Sequence, residues 1–373
     1  MALESALDAA VKTAMDEKRI VGAVLLVRHK GELLYEKAHG WLDRESHLPM
    51  VPHAIFRFSS VTKPIVAATI LAMKDHGLLQ FDDPVTHFLP DFRPKLPDGS
   101  APEINIGQLL THTSGLNNAP MATPEELRAG TSPWHRGTEA VLARIAERPL
   151  LFPPGAGWAY GPSIDVLGAI AGKLADGQPQ DAILKYVLDP LGMIDTRFAV
   201  TDELRLAVPY GDAPEGAERM GDVHVVTAPW GGEAIYDTLR IFDAAVFQSG
   251  GGGMAGTAQD FMRLLEALRT GGEPVLTPET AAIGLANNTT QLAEAAGPGW
   301  GFSYFGAWLD DPRLANHPGK RGTNRWGGIY GHSWVLDPTS ELSIVSMTNT
   351  GLEGSDGRYR DDICKAVYSA LGL

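Results

Sequence analysis

Phe56-Arg57-Phe58-Ser59-Ser60-Val61-Thr62-Lys63-Pro64-Ile65 runs on through an apolar stretch to Met73 and stops at Asp75-His76-Gly77. The Phe-Arg-Phe triplet reads as strand. Ile65 to Met73 is almost wholly apolar, so it reads as a buried helix with Gly77 at the C′ position. Ser60 therefore falls where a strand gives way to a helix. Backbone N–H groups at a helix start point outward, beside the positive end of the helix dipole. A carbonyl oxygen gaining negative charge could be held there. Lys63, three residues on, shares a helical face with Ser60. Its place at the start of an apolar helix partly desolvates its ammonium and disfavours the charged form, which suits a proton acceptor. Ser60 is the only serine in the chain with a lysine three residues later. The plainer alternative is that Ser60 only caps the helix and Lys63 is a solvated side chain.

Upstream, residues 2–18 place Leu3, Leu7, Val11 and Met15 among Glu4, Asp8, Lys12 and Glu17, the pattern of an amphipathic helix. Val21–Val27 and Glu32–Lys37 then flank Lys30-Gly31, which predicts a β-hairpin with a two-residue turn. From about 78 to 224 short helical patterns alternate with Pro-rich loops and strand-like alternation is scarce. Residues 208–235 form a Gly/Pro-rich connection without clear periodicity. Thr257-Ala258-Gln259-Asp260 predicts a helix start with a capping-box acid at its third position. Ser333–Leu336 and Leu342–Met347 flank Asp337–Ser340 as a second hairpin, and a C-terminal amphipathic helix closes the chain. The expected organisation is an α/β lobe from residues 1–77 and 225–373, with a mainly helical lobe, 78–224, inserted into it.

Two further segments carry chemistry. In Gly157-Trp158-Ala159-Tyr160-Gly161-Pro162-Ser163, Pro162 fits the first position of a helix continued by Ile164, Leu167, Ala171 and Leu174. Tyr160 then lies in a tight loop entering that helix. A phenol held beside a lysine ammonium gives up its proton more readily and could exchange it with a serine or a leaving group. In Trp326-Gly327-Gly328-Ile329 the glycines let a substrate approach the backbone, and the Ile329 N–H could be a second oxyanion donor. Taken singly, each is equally a packing tyrosine or a glycine-rich turn.

The 373 residues are 44% hydrophobic and 20% charged, enough for a sizeable core, and 42 Gly with 26 Pro predict many turns. A net charge of −14 argues against nucleic acid and anionic membrane surfaces as partners. The lone Cys364 allows no intrachain disulfide and reads as a small buried hydrophobe. No leader and no apolar run of membrane-spanning length is visible, so a cytoplasmic protein is expected, although a trimmed leader would read the same. No His-x-x-x-His pair, His-Glu-x-x-His or phosphate loop occurs, so neither metal nor cofactor is expected.

In order, Ser60-x-x-Lys63, Tyr160 and Trp326-Gly327-Gly328 resemble the motifs of the serine β-lactamase and penicillin-binding superfamily. Asp82-Asp83-Pro84-Val85, Leu109 to Leu116 (LLTHTSGL), Asp165-Val166-Leu167-Gly168 and Gly252-Gly253-Met254 share the texture of its class C β-lactamase-like branch. The resemblance covers most of the chain. It implies an α+β, β-lactamase/transpeptidase-like fold, with an antiparallel sheet flanked by N- and C-terminal helices and an inserted mainly helical lobe. It makes Ser60 the acylated nucleophile, with Lys63 and Tyr160 as its proton-handling partners.

Two departures stand out. Class C enzymes have Tyr-x-Asn where this chain has Tyr160-Gly161-Pro162. They have Lys-Thr-Gly where it has Trp326-Gly327-Gly328, which looks like the family VIII carboxylesterases. Trp230-Gly231-Gly232 and Lys320-Arg321-Gly322 are competing placements, further from the hairpin. Loss of the lysine removes a cation that helps to hold the β-lactam carboxylate and shifts preference toward neutral acyl groups. The expected function is hydrolysis of short-chain carboxylic esters, a small-molecule substrate, with Trp158 and Trp326 to Gly328 as binding residues. Trp158, Trp230, Phe247 and Trp334 could line an apolar acyl pocket. β-Lactam or D-amino-acid amide hydrolysis, acyl transfer, and a non-catalytic binding protein on the same fold are the rivals. An α/β-hydrolase triad on Ser333 is a further one, but no serine here has glycines at both elbow positions.

Overall fold

The computed structural model describes residues 2–229, 231–292 and 294–373, so Trp230 lies outside the described residues. The chain opens with α1 (Ala2–Asp16), then β1 (Gly22–His29) and β2 (Glu32–Asp43). Lys30 and Gly31 both take positive φ, 52° and 81°, as a two-residue turn matched to strand twist requires. A short β3 (Leu48–Pro49) follows. β4 (Trp300–Phe302), β5 (Ala307–Leu309), β6 (Asn324–Gly328), β7 (His332–Asp337) and β8 (Leu342–Thr348) come from the C-terminal part. They form one antiparallel sheet in the order β4-β5-β6-β7-β8-β1-β2-β3. The two ends of the chain meet where β1 pairs with β8, Leu25 opposite Ser346.

Alternation along the strands sorts their side chains to two faces. Ala23, Leu25 and Val27, with Val335 and Ile344, pack against Leu7 and Val11 of α1 and against Ile363 and Val367 of α5 (Arg358–Leu371). Val24 and Leu26, with Trp334, Leu336 and Val345, face a second core. That core contains α2 (Thr62–Asp75) and α4 (Ala258–Arg269). α2 is buried from Pro64 to Met73, and Gly77 just beyond it takes φ 74°. α2 also packs on α3 (Ser163–Leu174), itself buried from Ser163 to Gly172.

Three expectations needed correction. Pro162 is the residue before α3, not its first residue. Thr257 caps α4 as expected, but the Asp260 carboxylate turns away from it. It accepts instead from Asp195 N–H and Thr196 Oγ1, both at 2.9 Å, tying α4 to a distant loop. Residues 208–235, expected to be a connection without clear periodicity, hold Tyr210–Gly211 paired with Glu218–Arg219, and Val223–Thr227 paired with Glu233–Asp237, which runs two residues past that segment. Val223–Thr227 buries neither face, so its strand carries no period-two signal. Cys364 is buried as expected, and burial pushes its thiol up to about 12, which leaves it inert.

His332 at the start of β7 is buried and donates Nε2–H to Arg57 O at 2.8 Å, while its Nδ1 has no partner among the described residues. Burial pushes its imidazole down to about 4, partly offset by that hydrogen bond. An unfolded histidine titrates near 6.5. Below that pH the unfolded chain takes up the proton first. The contribution is therefore full above about 6.5 and is lost as pH falls toward 4, reaching about 3 kcal/mol. Denaturant midpoints measured at neutral and mildly acidic pH should fall less in His332→Gln, which keeps an N–H for Arg57 O, than in the wild type. An identical fall in both would remove His332 as a cause.

Candidate active site

Phe56–Arg57 pairs with Ala255–Gly256, and Phe58 N–H donates to Met254 O at 2.8 Å. The backbone then turns sharply at Ser59, φ 47°, into a one-turn 3₁₀ helix, Ser59–Val61, that runs directly into α2. A left-handed non-glycine residue costs about 1–2 kcal/mol, sustained here by packing on both sides. Neither helix start carries a side-chain cap, so Ser60 is not a capping serine. The residue is partly exposed. Lys63 Nζ donates to Ser60 Oγ at 3.1 Å and to Gly251 O at 2.6 Å. The same ammonium sits 4.6 Å from the centre of the Tyr160 ring.

Tyr160 enters differently from the sequence-based expectation. The ammonium faces its ring, a cation–π contact. The hydroxyl oxygen instead accepts from Trp326 Nε1 at 3.0 Å. The indole of the third motif and the phenol of the second are thus joined across the cleft, 166 residues apart in sequence. Behind the phenol stands His112, wholly buried, its ring 4.7 Å from that of Tyr160. His112 O accepts from Ala159 N–H at 3.0 Å, so its backbone also fixes the tyrosine loop. Burial, and secondarily Lys63, hold His112 well below the ordinary imidazole value and therefore neutral.

β6 brings the third motif against the serine. Gly327 pairs with Ser333 and Gly328 with His332. A methyl group at 328 would collide with Phe58 O and lie 3.3 Å from Val61 Cγ2. Only glycine lets the strand end touch the serine turn this closely. Ile329 follows, its carbonyl accepting from the Tyr236 hydroxyl at 3.0 Å. Among the described residues, neither Ser60 N–H nor Ile329 N–H has an acceptor. Both residues line one cleft, together with Asn118, Tyr160, Trp326 and Gly328.

Other candidates fall elsewhere. Trp158 does not line this cleft. It packs in an aromatic cluster, 5.4 Å from Phe302 and 6.4 Å from Tyr160 between ring centres. Phe247 is buried, its N–H on Trp134 O, whereas Trp334 does reach the cleft wall. Lys320 lies before the far end of β6, its N–H on Asp337 Oδ2 at 3.2 Å, away from Gly328. Ser333 sits within β7, opposite Gly327 and Ser346, not at an elbow. His112 and the Gly251 carbonyl were missed as site groups. The buried Leu109 to Leu116 segment was visible in sequence, but its contact with Tyr160 was not.

The profile of the family described as Beta-lactamase matches residues 7–366. The chain belongs to the beta-lactamase family. Within it, esterase EstB of Burkholderia gladioli is 43% identical over 98% of this chain and 95% of its own. The solved structure of EstCE1, described as a hydrolase with promiscuous acyltransferase activity, superposes with a TM-score of 0.92. It is 39% identical and covers 98% of each chain. Unliganded simvastatin synthase from Aspergillus terreus shares the fold, with a TM-score of 0.76 and 21% identity over 98% of each chain. The β-lactamase-like α+β fold expected from the motifs is the fold found, and the chain is an enzyme of this serine-hydrolase family.

Proposed function

We propose that this protein is a serine esterase that hydrolyses short-chain carboxylic esters through an acyl-enzyme on Ser60. The observation that carries the reading is the Lys63 ammonium, 3.1 Å from Ser60 Oγ and stacked on Tyr160, in a cleft whose third motif offers an uncharged indole. Lys63 and Tyr160 act as one proton-transfer unit that takes the Ser60 proton. Ser60 Oγ attacks the ester carbonyl, and the N–H groups of Ser60 and Ile329 receive the oxyanion. Tyr160, coupled to Lys63, protonates the departing alcohol and then activates the water that frees the acid.

Trp326 donates to Tyr160 without bringing positive charge, so an anionic substrate group finds no cation at the third motif. That supports neutral esters over β-lactams, as do the esterase and hydrolase names of the relatives. The same reading takes residues 1–77 and 225–373 as one lobe and 78–224 as the inserted lobe, with the cleft at their junction. Its support is that the main sheet draws on residues 22–49 and 300–348, whereas Tyr160 comes from the insert. We take the partner to be a small-molecule ester and the location to be cytoplasmic. No described helix is long and apolar enough to cross a membrane.

The enzyme should turn over p-nitrophenyl acetate and butyrate at least about 100-fold faster, in kcat/KM, than nitrocefin, a difference of ~2.7 kcal/mol in transition-state binding. Comparable rates on nitrocefin would make it a β-lactamase. Acyl transfer is a second reading, supported by the promiscuous acyltransferase activity ascribed to EstCE1. Adding a primary alcohol to the ester assay reads it directly, as transesterified product.

A further inference from the structure

The lysine that activates Ser60 meets the second motif only through the ring face of Tyr160 and takes no hydrogen bond from its side chains among the described residues. Pro162 stands two residues after Tyr160 and has neither a side-chain donor nor an acceptor. Besides Ser60 Oγ, the partner of Lys63 Nζ is a backbone carbonyl, Gly251 O at 2.6 Å, from a loop 188 residues away. The position of that carbonyl depends on what fixes residues 247–253.

Asp165 in the first turn of α3 is buried and aims its carboxylate at that loop. Its Oδ1 accepts from Ser249 Oγ at 2.5 Å and from Gly251 N–H at 3.0 Å. The peptide group on one side of Gly251 is therefore held by Asp165, while the carbonyl on the other side is presented to Lys63. The loop fits so closely that a methyl group at 251 would lie 2.7 Å from Asp165 Oδ2. Further back, Arg240 donates to Phe247 O at 2.8 Å and stacks over Trp134, whose carbonyl accepts from Phe247 N–H. Ser249 O accepts from the N–H groups of Gly252 and Gly253, at 3.1 and 2.8 Å, which closes the turn.

We infer that Asp165 is a positioning residue for the reaction. Through Ser249 and the Gly251 peptide it fixes the carbonyl that aims Lys63 at Ser60. The inference rests on Lys63 acting on Ser60. It adds a carboxylate that touches neither substrate nor nucleophile, and it explains how the site works with proline in the second motif. An aspartate early in a helix is also favoured by the helix dipole, so the anion sits there at little cost.

The groups facing Lys63 are Ser60, Tyr160 and the neutral His112. The half-buried Arg240 guanidinium also faces this loop, at Phe247 O. Gly251 O holds the Lys63 ammonium in line with Ser60 Oγ, and losing the Asp165 bonds frees that carbonyl to move. In Asp165→Ala, kcat on p-nitrophenyl butyrate should fall roughly 10–100-fold, the scale set by a misaimed catalytic group. KM should change little, because Asp165 touches no substrate and the loss falls on kcat. Asp165→Asn keeps an acceptor for Ser249 and Gly251 and should recover most of kcat. Ser249→Ala, which removes one of the two bonds, should give a smaller effect in the same direction and serves if Asp165→Ala does not fold.

A merely structural carboxylate would lower the melting temperature and leave kcat of the folded enzyme unchanged, with no rescue by Asp165→Asn to observe. That outcome, in Asp165→Ala or in Ser249→Ala, overturns the inference. The esterase reading is tested separately, by fluorophosphonate labelling of wild-type Ser60. A protein that labels at Ser60 but keeps its full kcat without Asp165 refutes this inference alone.

Discussion

Ser60→Ala is expected to lower ester kcat/KM by about 10⁴-fold or more and to leave the melting temperature within about 1 °C of wild type. The combination follows from what Ser60 Oγ does in the fold. It caps no helix, and among the described residues its one side-chain hydrogen bond is to Lys63 Nζ, which keeps Gly251 O when the hydroxyl is gone. Nothing structural is lost with it. Removing the nucleophile leaves only binding and oxyanion contacts, which sustain a small fraction of the rate. Lys63→Met should come close to the same loss, because members of one catalytic unit do not contribute additively. Steady-state kinetics with a p-nitrophenyl ester, together with mass detection of the acyl-enzyme, would decide it. Surviving turnover in Ser60→Ala would move the nucleophile elsewhere.

Gly328→Ala should cost about 10²–10³-fold in kcat/KM, the scale of a lost oxyanion donor. The added methyl collides with Phe58 O, which is fixed beside the serine turn, and it approaches Val61. β6 must then draw back from α2 and carry the Ile329 N–H away from Ser60. Gly221→Ala is the matching control, since a methyl there meets nothing within 4 Å. Fluorophosphonate labelling of Ser60 should slow in Gly328→Ala and be normal in Gly221→Ala. If Gly328→Ala keeps activity within about threefold, the close approach of β6 has no role in the oxyanion site.

Much of this site can be read along the chain because its parts are local. Ser60 and Lys63 are three residues apart on one helix, and that spacing alone joins them. The two hairpins, the buried α2 and the capped α4 are equally local, written in alternation, in a run of apolar residues and in a threonine before a helix. Tyr160 and Trp326 to Ile329 could be tied to Ser60 only by resemblance to a family, since no periodicity links residues that far apart.

The sequence by itself determined most of the secondary elements, the meeting of Ser60 and Lys63 on one helical turn, and the absence of a cation from positions 326 to 328. Tertiary structure decided how the groups face one another. It put the ammonium over the face of Tyr160, handed the phenol oxygen to Trp326 and moved Trp158 off the cleft wall. It also brought His112 behind Tyr160, and the Asp165–Gly251 pair to Lys63. The physical reason is range. Propensity and hydrophobic period act over a turn or a strand, whereas these contacts form only when packing of the two cores closes loops of more than about 45 residues.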